Sequence, residues 1–193
     1  ADTACVAYIQ AVVRMSEGTT RLWGGMTSAN IFSLLGMRAM LGRTLGPGDE
    51  GNPLVVVLSF DAWHRLFNGD SGVVGKTIEL REPDQRVMTV VGVLPDGFEF
   101  PTGKLMDFYT PFLAAGPPRR ISGDVLGLLR PGVPLGAATG EANAIGSAVP
   151  RRNPNAPALR IPRFVVEGLK NEMVQEMRPA LRVFLVAVAA VLL

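Results

Sequence analysis

Residues Leu54–Pro101 read LVVVLSFDAWHRLFNGDSGVVGKTIELREPDQRVMTVVGVLPDGFEFP, and the changes of apolar period within this stretch decide the fold. Val55, Val56, Val57 and Leu58 form an unbroken apolar run, the pattern of a strand covered on both faces. Ser59 is placed to cap a helix, since its hydroxyl can accept from an orphan amide of the first turn. Phe60, Trp63 and Phe67 then recur at helical spacing with Leu66 beside them, while Asp61, His64 and Arg65 take the other side. Asn68-Gly69 ends the helix, because Gly tolerates the left-handed conformation that such ends need. After a Gly-rich turn, Ile78 and Leu80 alternate with Thr77 and Glu79 as a half-buried strand does. Pro83-Asp84 supplies turn chemistry, and Val87 to Val93 returns as the partner strand. The unit is strand, helix, then hairpin.

Gly69 to Thr77, GDSGVVGKT, resembles the phosphate loop G-x-x-x-x-G-K-[ST]. The match fails on three counts. Five residues before Gly75 stands Asp70 instead of glycine, and its carboxylate would repel phosphate. The context is also inverted, since a phosphate loop leaves a strand and opens a helix. Nucleotide binding is not assigned here.

The C-terminal residues Val183–Leu193, VFLVAVAAVLL, are all apolar. As a helix this run would be ~16 Å long, against the ~30 Å of a bilayer core. Upstream, Met173, Val174, Met177 and Leu181 form a helical stripe broken by Glu172, Glu176, Arg178 and Arg182. A helix that turns apolar all round beyond Arg182 is one that enters lipid, which favours a membrane span cut short over a buried terminal helix. The other end, ADTACVAYIQ, has neither an initiator Met nor the basic and apolar regions of a signal peptide. Both ends read as cut from a longer protein.

The 193 residues suffice for one core or two small subdomains, and an apolar content of 48% excludes disorder. Residues 1–118 carry nine Lys/Arg against twelve Asp/Glu, whereas residues 119–193 carry ten against five. Basic residues there could favour anionic head groups, although an ordinary solvated face is the plainer reading. A nucleic-acid surface would interleave aromatics with clustered Lys/Arg, and the basic third offers only Phe164 and Phe184. Nucleic acid is therefore not an expected partner.

Elsewhere, Cys5–Val13 and Thr20–Met26 read as strands joined by a turn at Ser16-Glu17-Gly18. Ser28 or Asn30 could cap a short helix through Leu35, closed by Gly36, and Gly42–Pro53 is a polar loop. Asp107–Phe112 is a brief strand ended by Pro111, Gly116–Arg120 is a breaker, and Asp124–Leu129 is another strand. Leu135–Val149 is a small-residue helix with Ala138, Ala142 and Ile145 on one face. Pro150–Pro157 is a loop, and Ala158–Val166 is extended, with Pro162 confining it to an edge or a break.

The chain has one histidine, His64, on the polar side of its helix, and no G-x-S-x-G context for a nucleophile. Cys5 is the single cysteine, which precludes an internal disulfide and fits a small buried hydrophobe. Asp49-Glu50 and Asp96/Glu99 are carboxylate pairs in turn-rich segments, and Arg43 is placed to brace the Gly42–Pro53 loop against Asp49 or Glu50. Phe98 and Phe100 lie on one side of an extended segment, where they plug a core or meet an apolar substrate. No catalytic, cofactor-binding or metal-binding residue is assigned.

The succession TSANIFSLLGMRAMLGRTL, VVVLSFDAWHRLF, GVVGKTIEL and MTVVGVLPDGFEFP resembles the periplasmic core domain of MacB-type ABC transporter permeases, especially acidobacterial-type permeases lacking a fused ATPase. LLRPGVPLGAA is similar to that family's strand-to-helix segment, and LKNEMVQEMRPALRVFLVAVAAVLL to the approach to its second transmembrane helix. The resemblance spans about residues 26–193 and is weak before that. Two features depart from it: the helix after Pro134 carries glycines and few charges, and the linker near Pro117 is short.

The resemblance implies an α+β, mixed-sheet extracytoplasmic domain of an FtsX-like permease, over residues 1–178. One part would resemble the porter subdomains of efflux pumps. The other, about residues 27–105 and containing the βαββ unit, would be inserted in it. Residues 179–193 would begin a transmembrane helix. Such a domain binds no cofactor and makes no bonds. It transmits conformational change, with substrate or adaptor contact during export as a further role. Its partners would be a separate ABC ATPase subunit, a periplasmic adaptor, the membrane and a second permease copy, at the bacterial inner membrane. The residues alone leave open a membrane-anchored scaffold outside any transporter, or a soluble hydrolase with an unrecognised carboxylate site.

Overall fold

A computed structural model describes residues 2–15, 18–52, 54–82, 85–98, 100, 105–112, 123–152 and 164–169. The turns at Ser16-Glu17 and Pro83-Asp84, Glu99, the Gly116–Arg120 breaker, most of Pro150–Pro157 and Ala158–Val166, the Met173–Leu181 stripe and the Val183–Leu193 run lie outside the described residues. The chain divides into two compact units, residues 1–100 with 104–128, and residues 101–103 with 129–193.

The first unit is a sheet whose ladder returns to its starting strand. Strand β1 (Asp2–Met15) pairs antiparallel with β2 (Gly18–Thr27), and β2 runs parallel to β7 (Phe108–Pro111). Next come β4 (Val55–Leu58), antiparallel to β7, and β6 (Arg86–Val93), parallel to β4. Strand β5 (Thr77–Glu82) pairs antiparallel with β6 and then with β1 at Val12 and Val13, which closes the ring. Closure removes the open edges that invite mispairing. Strand β8 (Gly123–Leu128) adds to the first half of β1, and the short β3 (Leu41–Gly42) adds to β6.

Strand β4 is buried at all four positions, as its unbroken apolar run predicts. Val56 and Leu58 pack in one cluster with Leu22, Ile78, Leu80, Met88, Val90 and Phe108. Val55 and Val57 pack in a second cluster with Ile31, Phe32, Leu94, Phe100, Met106 and Tyr109. Each fully buried aliphatic side chain contributes about 1.5–3 kcal/mol, so these two layers dominate the stability of the unit. Gly24 sits under the Phe108 ring, where a Cβ would lie 2.2 Å from it, so the β2/β7 seam can close only over glycine.

Helix α2 (Phe60–Phe67) starts as the sequence predicts: Ala62 N donates to Ser59 Oγ at 3.1 Å. It ends with Asn68 in the left-handed region at φ 54°. Ala62 and Trp63 are its buried residues, and Phe60, Leu66 and Phe67 pack against the first cluster. Trp63 Nε1 donates to the Asp70 carbonyl at 2.9 Å, tying the helix to the turn beyond it. In the hairpin, Ile78 faces Met88 and both are buried, with Thr77 exposed as the alternation requires.

Several boundaries differ from those read in the sequence. Strand β1 starts earlier because Asp2 to Ala7 find partners in β8, more than a hundred residues away, and β2 is longer because Gly18, Thr19 and Thr27 pair with β1. Helix α1 (Ile31–Leu34) has no side-chain cap. Asn30 Nδ2 donates to the Thr3 carbonyl and Ser28 Oγ accepts from Cys5 N, so both expected caps serve β1 instead. Pro111 remains in β7 opposite Thr27, since the β4 ladder ends at Tyr109 and its missing N–H is needed by neither neighbour. Helix α3 (Leu135–Arg152) runs through Pro150 instead of stopping at Val149. Only two helical residues follow that proline, so one lost bond in the last turn is tolerated.

Candidate functional site

Among the described residues, groups that could do chemistry are dispersed, and several are held by structural partners. His64 is exposed, with its ring 4.6 Å from Phe60 and 4.5 Å from Trp63 between centroids. The Gly69 backbone lies against it, where a Cβ would come within 2.8 Å of the ring. Cys5 is half-buried, less covered than the small buried hydrophobe expected, and it lies beside exposed Val125 on the β1/β8 ladder. Among the described residues no group of three His, Cys, Asp or Glu is arranged to hold a metal.

Of the two carboxylates in Asp49-Glu50, the structure selects Asp49 as the partner of Arg43. Arg43 Nη1 and Nη2 donate to Asp49 Oδ2 and Oδ1 at 2.5 and 2.8 Å, and Gly46 N donates to Oδ2 at 2.9 Å. The Arg43 hydrogen bonds hold the carboxyl below the usual range, against an opposing effect of burial, with help from Gly46. The same pairing raises Arg43. In the phosphate-loop-like turn, Asp70 accepts from Gly72 N and pairs with Lys76. Those two bonds hold its carboxyl below the usual carboxylate range, Lys76 contributing most. Lys76 is thus committed to a carboxylate, where a phosphate loop would offer it to nucleotide.

Phe98 and Phe100 join an aromatic group with Phe32 and Tyr109, whose ring centroids lie 5.3 to 6.3 Å apart. Phe100 is buried, Phe98 is partly buried, and burial together with Tyr8 and Asp107 pushes the Tyr109 hydroxyl upward. Phe100 is a core plug, while Phe98 stands partly exposed at the edge of the group.

A brace that the sequence did not reveal joins three elements around Asp107. Asp107 Oδ2 accepts from Trp23 N at 2.8 Å, its own N–H donates to the Trp23 carbonyl at 2.7 Å, and Arg65 Nη2 donates to Oδ1 at 2.6 Å. Here the segment that leaves β2 at Thr27 returns to β7, with α2 fastened to both. Trp23 and Leu105 beside it are exposed apolar side chains. No local pattern marks Asp107, because its partners lie 42 and 84 residues away. The arrangement fixes geometry and offers no acid–base or nucleophilic pair.

The sequence model of the MacB-like periplasmic core domain matches residues 2–145. The chain belongs to that family. The match includes the first 25 residues, where the resemblance had been weak, and it ends within α3. The fold of this MacB-like domain is similar to the periplasmic region of MacB from Actinobacillus actinomycetemcomitans (TM-score 0.60, 16% identity, covering 77% of this chain and 67% of that one). It is also similar to a domain of a putative permease protein from Porphyromonas gingivalis (TM-score 0.55, 13% identity, covering 90% and 78%). No curated protein is similar enough in sequence to be matched. A MacB-like periplasmic core domain is a part of an ABC-type transporter permease that lies outside the membrane.

Among the described residues no helix is long and apolar enough to cross a membrane. The second unit of the MacB-like domain holds a polar contact in place of an apolar one. Ala138 and Ala142 are half-buried as expected of the α3 face, but Ile145 is exposed. The face is rotated toward Thr139, Asn143 and buried Gly146, since what lies on it is main chain. Asn143 Nδ2 donates to the Phe164 carbonyl, Phe164 N donates to Asn143 Oδ1, and Val166 N donates to Thr139 Oγ1.

Proposed function

We propose that this domain is the non-enzymatic, extracytoplasmic part of a bacterial inner-membrane permease that transmits conformational change during export driven by a separate ABC ATPase. Family membership over residues 2–145 is the observation that carries the reading. Supporting it, the Arg43–Asp49 and Arg65–Asp107 pairs act as braces, and the closed ladder makes the first unit stiff enough to move as a body. In this reading residues 1–178 form the domain, about 27–105 the insertion, and 179–193 begin a membrane helix. The permease works as a dimer, and exposed surface such as that around Trp23 and Leu105 is available to substrate or an adaptor.

Topology mapping of the full-length protein tests it. Reporter fusions should place residues 1–178 outside the cytoplasm, with one membrane helix before residue 1 and several after residue 193. A full-length protein with a single span or none would overturn the transporter reading. Hydrolysis of ATP or simple esters by the purified domain would overturn the non-enzymatic one.

A further inference from the structure

Thr139 and Asn143 stand four residues apart on α3, a rise of about 6 Å. Alternate residues of an extended chain repeat at about 6.6 Å. A polar pair at this helical spacing therefore reads every second residue of an extended backbone. Residues 164 and 166 are held in that way: Asn143 exchanges two hydrogen bonds with Phe164 at 2.8 and 2.9 Å, and Thr139 Oγ1 accepts from Val166 N at 3.2 Å. The order is antiparallel, the later helix residue meeting the earlier backbone residue. Asn143 Nδ2 also donates to the Thr139 carbonyl at 2.8 Å, which fixes the amide for this task.

The side chains of the held segment are partly covered, with Val166 half-buried. Phe164 is 38% exposed and Val165 70% exposed. Beside this partial apolar cover, attachment rests on a few side-chain-to-main-chain hydrogen bonds, each changing the closed-to-open ratio by roughly two- to tenfold. A contact of that kind opens without disturbing a packed core. The bound segment also precedes the Met173–Leu181 stripe and the apolar run, so it lies on the covalent path between α3 and the proposed membrane helix.

We propose that Thr139 and Asn143 form a releasable latch on residues 164–166, closed in one state of the transport cycle and open in another. This rests on the proposed reading of residues 179–193 as the start of a membrane helix. Asn143 and Thr139 are positioning residues in this scheme and touch no substrate.

The test is hydrogen exchange of the full-length permease in lipid nanodiscs with its ATPase, without nucleotide and with ATP plus vanadate. Amides 164 and 166 should exchange slowly in one condition and roughly tenfold faster in the other. Asn143→Ala should speed exchange at 164, and Thr139→Val at 166, in the slow condition, and each should leave amides of β4 unchanged. The two variants are read separately, so either one that folds decides the matter. Equal exchange at 164–166 in both nucleotide conditions would make the contact a fixed clamp and overturn the proposal, as would variants that leave exchange there unchanged. With Cys5→Ser removing the native thiol, labelling of Val186→Cys by a membrane-impermeant maleimide would instead overturn the membrane reading, while the exchange data still report whether the contact opens.

Discussion

At the scale of single residues, the least and the most satisfied buried polar groups make opposite predictions. Thr27 and Thr110 are buried, and neither hydroxyl meets a hydrogen-bond partner among the described residues. An unpaired buried hydroxyl carries an uncompensated desolvation cost, so Thr27→Val should stabilise the fold by about 1 kcal/mol, a rise in Tm of about 2–4 °C by calorimetry. A fall in Tm would mean that the hydroxyl is satisfied after all. Asp49 is the converse case, since its carboxylate accepts three hydrogen bonds at a side-chain exposure of 6%. Asp49→Asn should cost about 1–2 kcal/mol at pH 7, toward the lower end because the Arg43 side chain is 54% exposed. The folded carboxyl titrates below its unfolded value of about 4. Its contribution is therefore present above that pH and lost as pH falls through the folded value. Urea titrations should show the gap between wild type and Asp49→Asn full at neutral pH and shrinking below about pH 4; a gap independent of pH would remove the carboxylate from the explanation.

At the scale of elements, what the sequence made legible was local. Ser59 could be read as a cap because its partner is Ala62, three residues on, and Ser59→Ala should cost about 1 kcal/mol. Chemical denaturation measures that cost directly, and a change within error would show the cap to be energetically idle. The alternation of β5 and the double burial of β4 were legible for the same reason, since their periods are written in consecutive residues. Asn30 and Ser28 misled because cap residues also bond strand backbone, and Thr3 and Cys5 lie over twenty residues away. The α3 face misled in another way. Periodicity searches for apolar stripes, but the surface laid on α3 is main chain, which selects Thr139 and Asn143 over Ile145. Asp107 was silent because a lone aspartate ahead of a strand has no preferred reading until Trp23 and Arg65 are brought to it.

At the scale of the whole molecule, the closed ladder implies that one part of the chain carries its own stability. Both buried clusters draw their fully buried members from residues between Ala4 and Tyr109, and the ring of six strands is complete by Pro111. Strand β8 then pairs along β1 from Asp2 to Ala7 and brings Leu126 against the second cluster. A chain of residues 1–128 therefore holds every element of that ladder, and it should fold alone and unfold in one cooperative step. Trp23 and Trp63, the two tryptophans of the protein, both lie in this part, so fluorescence reports on it selectively. Fluorescence and far-ultraviolet circular dichroism of the 1–128 chain should give coincident urea transitions, the signature of two-state behaviour. The fluorescence midpoint should also match that of the 193-residue chain. Parallel strand pairs β2/β7 and β4/β6 join segments far apart in sequence, so refolding should be slow, in the range of milliseconds to seconds typical of non-local pairings. A 1–128 chain that is molten or aggregates would show that residues 129–193 supply part of the core, and the closed ladder would then be insufficient to stabilise the fold.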